Sequence, residues 1–423
     1  MGLRTKLIVG LLLFWVCLFA ENERVYVTAS KFNTDEIIAK LDSLSGLSFP
    51  GNYSLNTISK PDLKRKFSHP ELAYEVRISK LNKLSPIEYE YNEQVKKYIE
   101  LFTIERRDQF QQIIGLSELY FPVFDEYLDK YNLPLEIKYL AIVESALNPL
   151  AVSVSNAVGL WQFKIGTAKM LDLNVSSYID ERCDPVKSTE AACRYLQYLY
   201  RIFGDWNMAI AAYNGGPGEI KKAIQRSGGK TNYWEIQSYL PEQTQNYIPA
   251  FIAASYVMNF HKAHKLRAIK PVFNYWDVDS VHVKNSVSFE QISNIVDIPL
   301  EQLRFLNPVY KLDYIPIDEN TISLILPQQR VKTFLDKENE IYSVSENRAS
   351  KTSNINGNST KGKIRIYHKV KRGDIFHSLA IKYGCTIENL LIWNKLDSTR
   401  LLENQIIEIW VSPMYLSKLK IEK

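Results

Sequence analysis

The sequence predicts a mainly α-helical domain followed by two small α+β modules, each with the order strand, helix, helix, strand. Three observations support this fold class. Apolar residues recur at helical spacing from about residue 86 to residue 265, a pattern of one strand and two short helices appears twice at an offset of 87 residues, and a polar segment separates the two copies. The length of 423 residues allows about two to four domains.

The first 20 residues have the composition of an export signal. Arg4 and Lys6 precede the apolar run Leu7–Ala20, and a polar stretch follows. The run is short for a membrane span, which needs about 20 apolar residues. We therefore expect export to the periplasm or cell envelope. The alternative is an uncleaved or lipid-linked anchor, which would give membrane association. It stays open because Leu18 fits a cleavage site poorly and Cys17 could carry a lipid.

Residues 21–85 have no strong periodicity and are expected to be a variable N-terminal region. The helical pattern then begins with a stripe that contains Tyr91, Val95, Tyr98, Ile99 and Phe102. It continues to about residue 265, so residues 86–265 are predicted to form one helical domain.

Within this domain one predicted helix carries an acidic residue on its apolar face. Ile137, Leu140, Ala141 and Glu144 fall at positions i, i+3, i+4 and i+7, which share one side of a helix. A carboxyl group on such a face is desolvated, and desolvation raises its pKa. A carboxyl group with a raised pKa can donate a proton near neutral pH, which makes Glu144 the candidate general acid.

Prolines and polar residues predict the helix boundaries. Pro134 should open the helix that carries Glu144, and Asn148-Pro149 should end it. Ser188 or Thr189 is the expected N-cap of a later helix, and another helix should follow Pro241.

Polar side chains suited to sugar recognition lie close to Glu144 in the sequence or in a second motif. Ser145 adjoins Glu144, and Ser153 and Gln162 follow in a loop. Tyr213 and Asn214 stand at the end of a helix that stops in a glycine-rich turn. Their hydroxyl and amide groups can hydrogen-bond the hydroxyl and acetamido groups of a glycan.

Cys183 and Cys193 form the candidate disulfide, because an exported protein meets an oxidising compartment. Two buried thiols are the alternative. A metal site is not expected, since none of the six histidines is spaced with a cysteine or a carboxylate as a ligand set.

The repeated module occupies residues 277–330 and 364–412, with a predicted flexible linker at 343–363 that is rich in Ser, Asn, Lys, Gly and Thr. The copies align without a gap, and the matching pairs include Phe289/Phe376, Ile292/Leu379, Leu300/Ile387, Leu303/Leu390 and Asn307/Asn394. Repetition of a small module increases avidity for a repetitive ligand.

Three motifs, "ESALNPLAVSVSNAVGLWQF", "AAYNGGPGEI" and "LPEQTQNYIPAF", resemble the lytic murein transglycosylases with a goose-type lysozyme-like catalytic domain, specifically the membrane-bound D type. The repeated module resembles LysM. Its second copy contains Gly373-Asp374, whereas the degenerate first copy has Ser286-Val287 in their place. The D type also carries LysM modules after its catalytic domain.

The resemblance implies cleavage of the β-1,4 bond between N-acetylmuramic acid and N-acetylglucosamine in peptidoglycan, without a cofactor. It implies that Glu144 protonates the leaving oxygen and then acts as a base on the muramic C6 hydroxyl, which closes a 1,6-anhydro ring. Positions that line or flank the sugar cleft in this family match Ser145, Ser153, Gln162, Tyr213, Asn214 and Tyr247 here. Gln243 stands where the family usually has Glu, so it can hydrogen-bond a sugar but carries no charge.

The expected partners are peptidoglycan glycan strands, with the LysM modules binding glycan that contains N-acetylglucosamine. A nucleic-acid partner is not expected, because the net charge is only +5 and no dense basic block occurs. Two alternatives remain open. One is a muramidase that hydrolyses the same bond with Asp180, Glu181 or Asp184 as a second carboxylate; the other is a non-catalytic wall-binding protein.

Overall fold

The computed structural model describes residues 35–44, 70–176, 178–316, 323–343, 363–371, 374, 376–383, 385, 387–396 and 401–411. The predicted export signal (residues 1–20) and nearly all of the predicted linker lie outside these residues. Within them, no helix is both long enough and apolar enough to cross a membrane.

A large helical domain accounts for most of the described chain, as the periodicity predicts. Its α-helices are α1 (Asp35–Ser43), α2 (Pro70–Asn82), α3 (Glu93–Glu100), α4 (Arg107–Lys130), α5 (Leu140–Ser145), α6 (Ile165–Met170), α7 (Pro185–Phe203), α8 (Trp206–Gly215), α9 (Pro217–Arg226), α10 (Tyr233–Ile236) and α11 (Glu242–Phe260). Shorter turns of 3₁₀ helix connect several of them, at Leu135–Tyr139, Glu181–Cys183, Gln237–Tyr239, His261–His264 and Tyr275–Asp277, and a π-helical turn, Leu101–Glu105, follows α3.

Helix α11 forms the centre of this domain. It begins directly after Pro241, as predicted, and its residues are buried on all sides from Asn246 to Val257. A helix that is apolar around its whole circumference is stable only in a core. Accordingly α11 packs against α3, α5 and α8, and thereby holds the Glu144 helix against the glycine-rich end of α8.

The Glu144 helix ends earlier than predicted. The segment opens after Pro134 as a 3₁₀ turn and continues as α5, which stops at Ser145 rather than at Asn148-Pro149. The reason is that Ala146 and Leu147 both adopt left-handed backbone conformations, with φ of 54° and 61°. A left-handed residue at a helix end closes the helix much as a C-terminal glycine does.

The start of α7 also differs from the prediction. Its N-cap is Asp184, whose side chain accepts hydrogen bonds from the backbone N–H groups of Val186 and Lys187. Pro185 occupies the first helical turn, where its missing N–H costs nothing. Ser188 and Thr189 therefore lie inside the helix, and each hydroxyl donates to a carbonyl four residues earlier.

The predicted disulfide is wrong, because Cys183 and Cys193 are both buried free thiols. Cys183 precedes α7, whereas Cys193 lies in its middle.

Two small modules follow, and both have the predicted order of strand, helix, helix and strand. The first module comprises β1 (Val278–His282), β2 (Val287–Ser288), α12 (Phe289–Val296), α13 (Leu300–Leu306), β3 (Tyr314–Ile315) and β4 (Ser323–Pro327), followed by α14 (Gln328–Asp336). The second comprises β5 (Ile364–Lys369), α15 (Phe376–Tyr383), α16 (Ile387–Asn394) and β6 (Ile406–Val411). In both, the outer strands pair antiparallel, β1 with β4 and β5 with β6.

The first module contacts the helical domain directly. Ile179 pairs with Tyr310 in an isolated β-bridge, and the backbone N–H of Asp180 donates to the carbonyl of Val309 at 2.9 Å. Ile179 is also part of the apolar core of the first module.

Candidate active site

Glu144 lies in the last turn of α5 and is almost completely buried, with 5% of its surface exposed. The stripe that it shares with Ile137, Leu140 and Ala141 is buried as the sequence predicts, and those three residues are fully buried. The Tyr247 hydroxyl donates a hydrogen bond to Glu144 Oε1 from the neighbouring helix α11. Glu144 is therefore a buried carboxyl group with a specific hydrogen-bond donor.

The surroundings of Glu144 raise its pKa above the usual value. Burial is the main cause, because it disfavours the charged carboxylate. The positive charge of Lys40 and the hydrogen bond from Tyr247 oppose this effect without cancelling it. A raised pKa increases the protonated fraction near neutral pH, which is the form that a general acid needs.

The chain around Glu144 is held under local strain. Ala146 and Leu147 follow it in the left-handed region although neither is a glycine, and such residues cost about 1–3 kcal/mol each. Ser145 is fully buried, and its hydroxyl contacts the carbonyls of Ala141 and Leu160, both at 2.9 Å. Ser145 thus braces the helix end against the next loop and does not line the cleft, contrary to its expected role.

The loop after α5 requires a glycine at one point. Gly159 has φ of +93°, and a Cβ atom built on it would lie 1.8 Å from the carbonyl oxygen of Arg182. Asn156 tolerates the left-handed region, with φ of 59°. The Gln162 side chain fastens the loop by donating from Nε2 to the carbonyls of Ala151 and Gly159, at 3.0 and 2.9 Å.

A cleft of about 300 Å³ opens at Glu144. Five of the residues predicted from the motifs line it together with Glu144, namely Ser153, Gln162, Tyr213, Asn214 and Gln243. A larger cavity of about 620 Å³ adjoins the loop 151–155, and a smaller one of about 150 Å³ reaches Tyr247. The motifs therefore converge on one concave region although they are distant in sequence.

Two of these side chains are oriented by hydrogen bonds. The Tyr213 hydroxyl donates to the carbonyl of Trp161 at 2.7 Å, and Asn214 Oδ1 accepts from the Thr244 hydroxyl at 3.0 Å. Burial, with the nearby charge of Glu144 as the second cause, holds the pKa of Tyr213 and of Tyr247 well above the usual value. Both phenols therefore stay neutral and can act as hydrogen-bond donors.

Gln243 is the residue that departs from the family motif, and it lines all three cavities. The adjacent Glu242 lines none of them. The exposed side chain of Gln243 lies at the start of α11. A neutral amide therefore occupies the place where the motif usually has a charged group.

The three acidic residues considered as a second carboxylate all have other partners. Asp180 pairs with Arg182 at 2.8 Å, Glu181 pairs with Lys187 at 2.6 Å, and Asp184 caps α7. None of the three lines a cavity at Glu144. In the part of the chain that the structure describes, no group of His, Cys, Asp and Glu side chains could hold a metal ion.

Among the site residues that sequence reasoning missed are Glu36 and Lys40, which α1 brings to the cleft. Lys40 Nζ lies 3.6 Å from Glu144 Oε2, and Glu36 lines the same cleft as Glu144. Both come from the segment 21–85, which has no motif and no clear periodicity. The only signal was the short amphipathic stretch "DEIIAKLDS" itself, and nothing in it indicates which element it would contact.

Three separate segments of the chain match known domain families. Residues 122–236 match the transglycosylase SLT domain, residues 277–343 match the LysM-like domain of lytic transglycosylase MltD, and residues 368–410 match the LysM domain. These segments correspond to the centre of the helical domain and to the two modules.

Several proteins that are similar to this chain are named lytic murein transglycosylases. Membrane-bound lytic murein transglycosylase D of Escherichia coli K12 is 29% identical over 323 residues, which cover 75% of this chain and 68% of that protein. Soluble lytic murein transglycosylase of the same strain is 30% identical over 141 residues, or 32% of this chain and 22% of that protein. Among solved structures, the 70 kDa soluble lytic transglycosylase of Escherichia coli aligns with a TM-score of 0.31 and 26% identity, over 43% of this chain and 33% of that one.

Three findings agree with one another. The matched domains follow in this order, and a D-type relative is similar over three quarters of the chain. A buried glutamate also lies in a cleft lined by the three motifs. The chain is a peptidoglycan lytic transglycosylase with a lysozyme-like SLT domain, an MltD-type LysM-like domain and a LysM domain.

Proposed function

We propose that Glu144 is the single catalytic acid and base of this enzyme. The bond cleaved is the β-1,4 linkage between N-acetylmuramic acid and N-acetylglucosamine. Glu144 first donates its proton to the glycosidic oxygen, so the C1–O bond breaks and the N-acetylglucosamine leaves with a hydroxyl group. The carboxylate then takes the proton of the muramic C6 hydroxyl, whose oxygen attacks C1 and closes a 1,6-anhydro ring.

The observation that carries this proposal is the burial of Glu144 beside Tyr247. Burial favours the protonated acid before the reaction, and the Tyr247 hydroxyl can stabilise the carboxylate that forms when the proton leaves. The same group thereby suits both steps. Water is not consumed, so a second carboxylate to activate it is not required.

The cleft supplies groups that can orient a glycan. Ser153, Gln162, Asn214 and Gln243 present hydroxyl and amide groups around Glu144, and these can hydrogen-bond the acetamido and hydroxyl groups of successive sugars. Because Gln243 is neutral, it adds no repulsion towards Glu144 and no charge towards the lactoyl carboxylate of muramic acid. We infer that Gln243 contributes to substrate orientation rather than to proton transfer.

The two C-terminal modules are proposed to bind glycan that contains N-acetylglucosamine and to keep the catalytic domain near its polymer. The proposed location is the cell envelope, where peptidoglycan is found, with residues 1–20 as the export signal or anchor. Residues 86–265, together with helices α1 and α2 that pack into the same core, would form the catalytic domain. Residues 343–363 would form the linker between the modules.

The decisive experiment treats purified peptidoglycan with the wild type and with Glu144→Gln, and identifies the soluble muropeptides by mass spectrometry. The wild type should release 1,6-anhydro-muropeptides. Loss of the acid should lower the rate of muropeptide release about 10²–10⁴-fold, which is the usual contribution of general acid–base catalysis. Glu136→Gln, which changes another carboxyl group of the same helical segment outside that cleft, is the matched control and should keep wild-type activity.

Reducing-end products from the wild type would instead identify a hydrolase. Among the described residues that line the cleft, Glu36 is the other carboxylate, so a hydrolase would have to use it to activate water. Glu36→Gln would then abolish activity as completely as Glu144→Gln. No soluble product from any variant, with glycan binding retained, would leave a wall-binding protein.

A further inference from the structure

Helix α1 contributes to the active site although it precedes the catalytic motifs by about a hundred residues. Glu36 lines all three cavities around Glu144, and Lys40 lines two of them. The polar side of this helix therefore faces the space that a glycan must enter.

The other side of α1 is anchored to the helical domain. Leu41 and Leu44 are buried in the main core, and Ile37 and Ile38 pack against it. The helix contacts α5, and the Ser43 hydroxyl accepts a hydrogen bond from Asn148 Nδ2 at 3.2 Å. The apolar anchor fixes where the Lys40 ammonium lies.

Both oxygens of Glu144 are engaged in this arrangement. Oε1 accepts the hydrogen bond of Tyr247, and Oε2 lies 3.6 Å from Lys40 Nζ, in a pair whose side chains are 11% and 7% exposed. A glycosidic oxygen must come within hydrogen-bond distance of one of them to receive a proton. Tyr247 belongs to the buried centre of α11, whereas α1 is buried on one face only, so Lys40 is the neighbour that a glycan can move.

We propose that Lys40 is a positioning residue of this active site, which engages Glu144 Oε2 in an ion pair until an entering glycan strand moves the ammonium away. The proposal rests on the proposed function, in which Glu144 must first donate a proton. Without glycan, the ion pair limits how far burial raises the pKa of the Glu144 carboxyl group. With glycan bound, loss of the pair favours protonation, so the acid form develops where the substrate is.

Among the described residues, charged and titratable groups reach Glu144 from several elements. Helix α1 presents Lys40 and Glu36, α11 presents Tyr247, and α8 presents Tyr213. Lys164 and Tyr195 line the same cleft. Glu36 lies 3.3 Å from Lys40 and works against it, because a second negative charge raises the pKa of Glu144. Tyr213 and Tyr247 stay neutral, and the hydrogen bond from Tyr247 also lowers the pKa of Glu144. Lys40 lowers it more, so its removal should raise the pKa of Glu144.

The test compares Lys40→Met with the wild type by the pH dependence of kcat/KM for release of anhydro-muropeptides. An opposite charge at this distance lowers a carboxyl pKa by about one to three units. Its removal should therefore move the alkaline limb of the profile up by about one pH unit and raise the rate about tenfold above that limb. Lys96→Met is the matched control, because Lys96 is also a partly buried, ion-paired lysine but lies outside the cleft.

A lower rate for Lys40→Met with an unmoved limb would overturn the proposal and make Lys40 a substrate-binding residue. An unchanged rate and profile would also overturn it. If the wild type itself releases no anhydro product, the proposed function fails instead, and the two failures are thereby distinguished.

Leu41→Asp gives a second measurement that does not remove Lys40. A charge at this buried position should detach α1 from the core and carry the ammonium away from Glu144. The alkaline limb should again move up and the rate should rise. Loss of activity in a protein that retains its circular dichroism spectrum would mean that α1 is a required wall of the cleft, and would overturn the proposal.

Discussion

The first and second modules have the same fold and share one hydrogen-bonded asparagine at the same place. In the first, Asn307 Nδ2 donates to the carbonyls of Leu303 and Ile325, and its Oδ1 accepts from the N–H of Ile325. In the second, Asn394 makes the same three hydrogen bonds, to Leu390 and Glu408. In each module this asparagine ties the end of the second helix to the last strand.

The modules differ in a neighbouring group of three residues. In the second module, His368 lies 2.9 Å from the Tyr383 hydroxyl through Nδ1 and 2.6 Å from Asp374 Oδ2 through Nε2. The residues 87 positions earlier in the first module are Val281, Val287 and Val296, and all three are buried.

This difference separates what the fold needs from what one copy has in addition. Both modules keep the asparagine, because the strand and helix ends would otherwise bury unpaired backbone groups. Among the described residues, the second module joins its first strand and first helix through this polar network, and the equivalent positions of the first module are valines. In the first module the valines enlarge the apolar core, which Phe334 and Ile341 extend from the segment after β4.

The largest expected effect comes from removing the shared asparagine. Asn307→Ala and Asn394→Ala should each destabilise their own module by about 2–4 kcal/mol, because backbone groups lose their partners on burial. Asn307 is the more deeply buried of the two, so its replacement should cost more. Hydrogen exchange of the full chain, followed by mass spectrometry, measures the backbone amides of the two modules separately. Equal protection of these amides in mutant and wild type would contradict a common role for the asparagine.

An intermediate effect is expected for Asp374→Asn, which weakens the polar network while keeping the shape of the side chain. Loss of the charge-assisted hydrogen bond with His368 should destabilise the second module by about 1–2 kcal/mol. The matched control is Val287→Ala at the equivalent position of the first module, whose effect should arise from lost packing and should not vary with pH.

The pH dependence of the second module follows from the pKa of Asp374. Burial by itself would raise this pKa, but hydrogen bonds from the Lys371 N–H and from His368 outweigh burial and lower it. A lowered carboxyl pKa contributes stability above the unfolded value of about 3.9, and this stability is lost as the pH falls through the folded value. The wild-type second module should therefore lose protection against hydrogen exchange below about pH 4, and a second module as resistant to acid as the first would refute this assignment.

The smallest effect is expected for Tyr383→Phe. The change removes the hydroxyl that contacts His368 and leaves the ring in the core, so the cost should be about 0.5–1.5 kcal/mol. The same loss measured in a protein that already carries His368→Val should be much smaller, because the partner is absent. An undiminished loss in the double mutant would show that the hydroxyl acts independently of His368.

The sequence alone determined the elements and the chemistry that depends on local pattern. Spacing of apolar residues predicted the helical domain and the buried face of Glu144, and the offset of 87 residues predicted two like modules. Short motifs predicted six of the residues that line the cleft, Glu144 among them. These features succeed because helical and strand periodicity, turns and motif spacing are properties of neighbouring residues.

Only the tertiary structure decided how distant segments meet. It placed Lys40 and Glu36 beside Glu144, turned Ser145 away from the cleft, ended α5 at Ser145, and left Cys183 and Cys193 as free thiols. None of these outcomes has a local signal. Each depends on which surfaces pack together, and packing between elements far apart in the chain is a property of the whole fold, which no window of neighbouring residues contains.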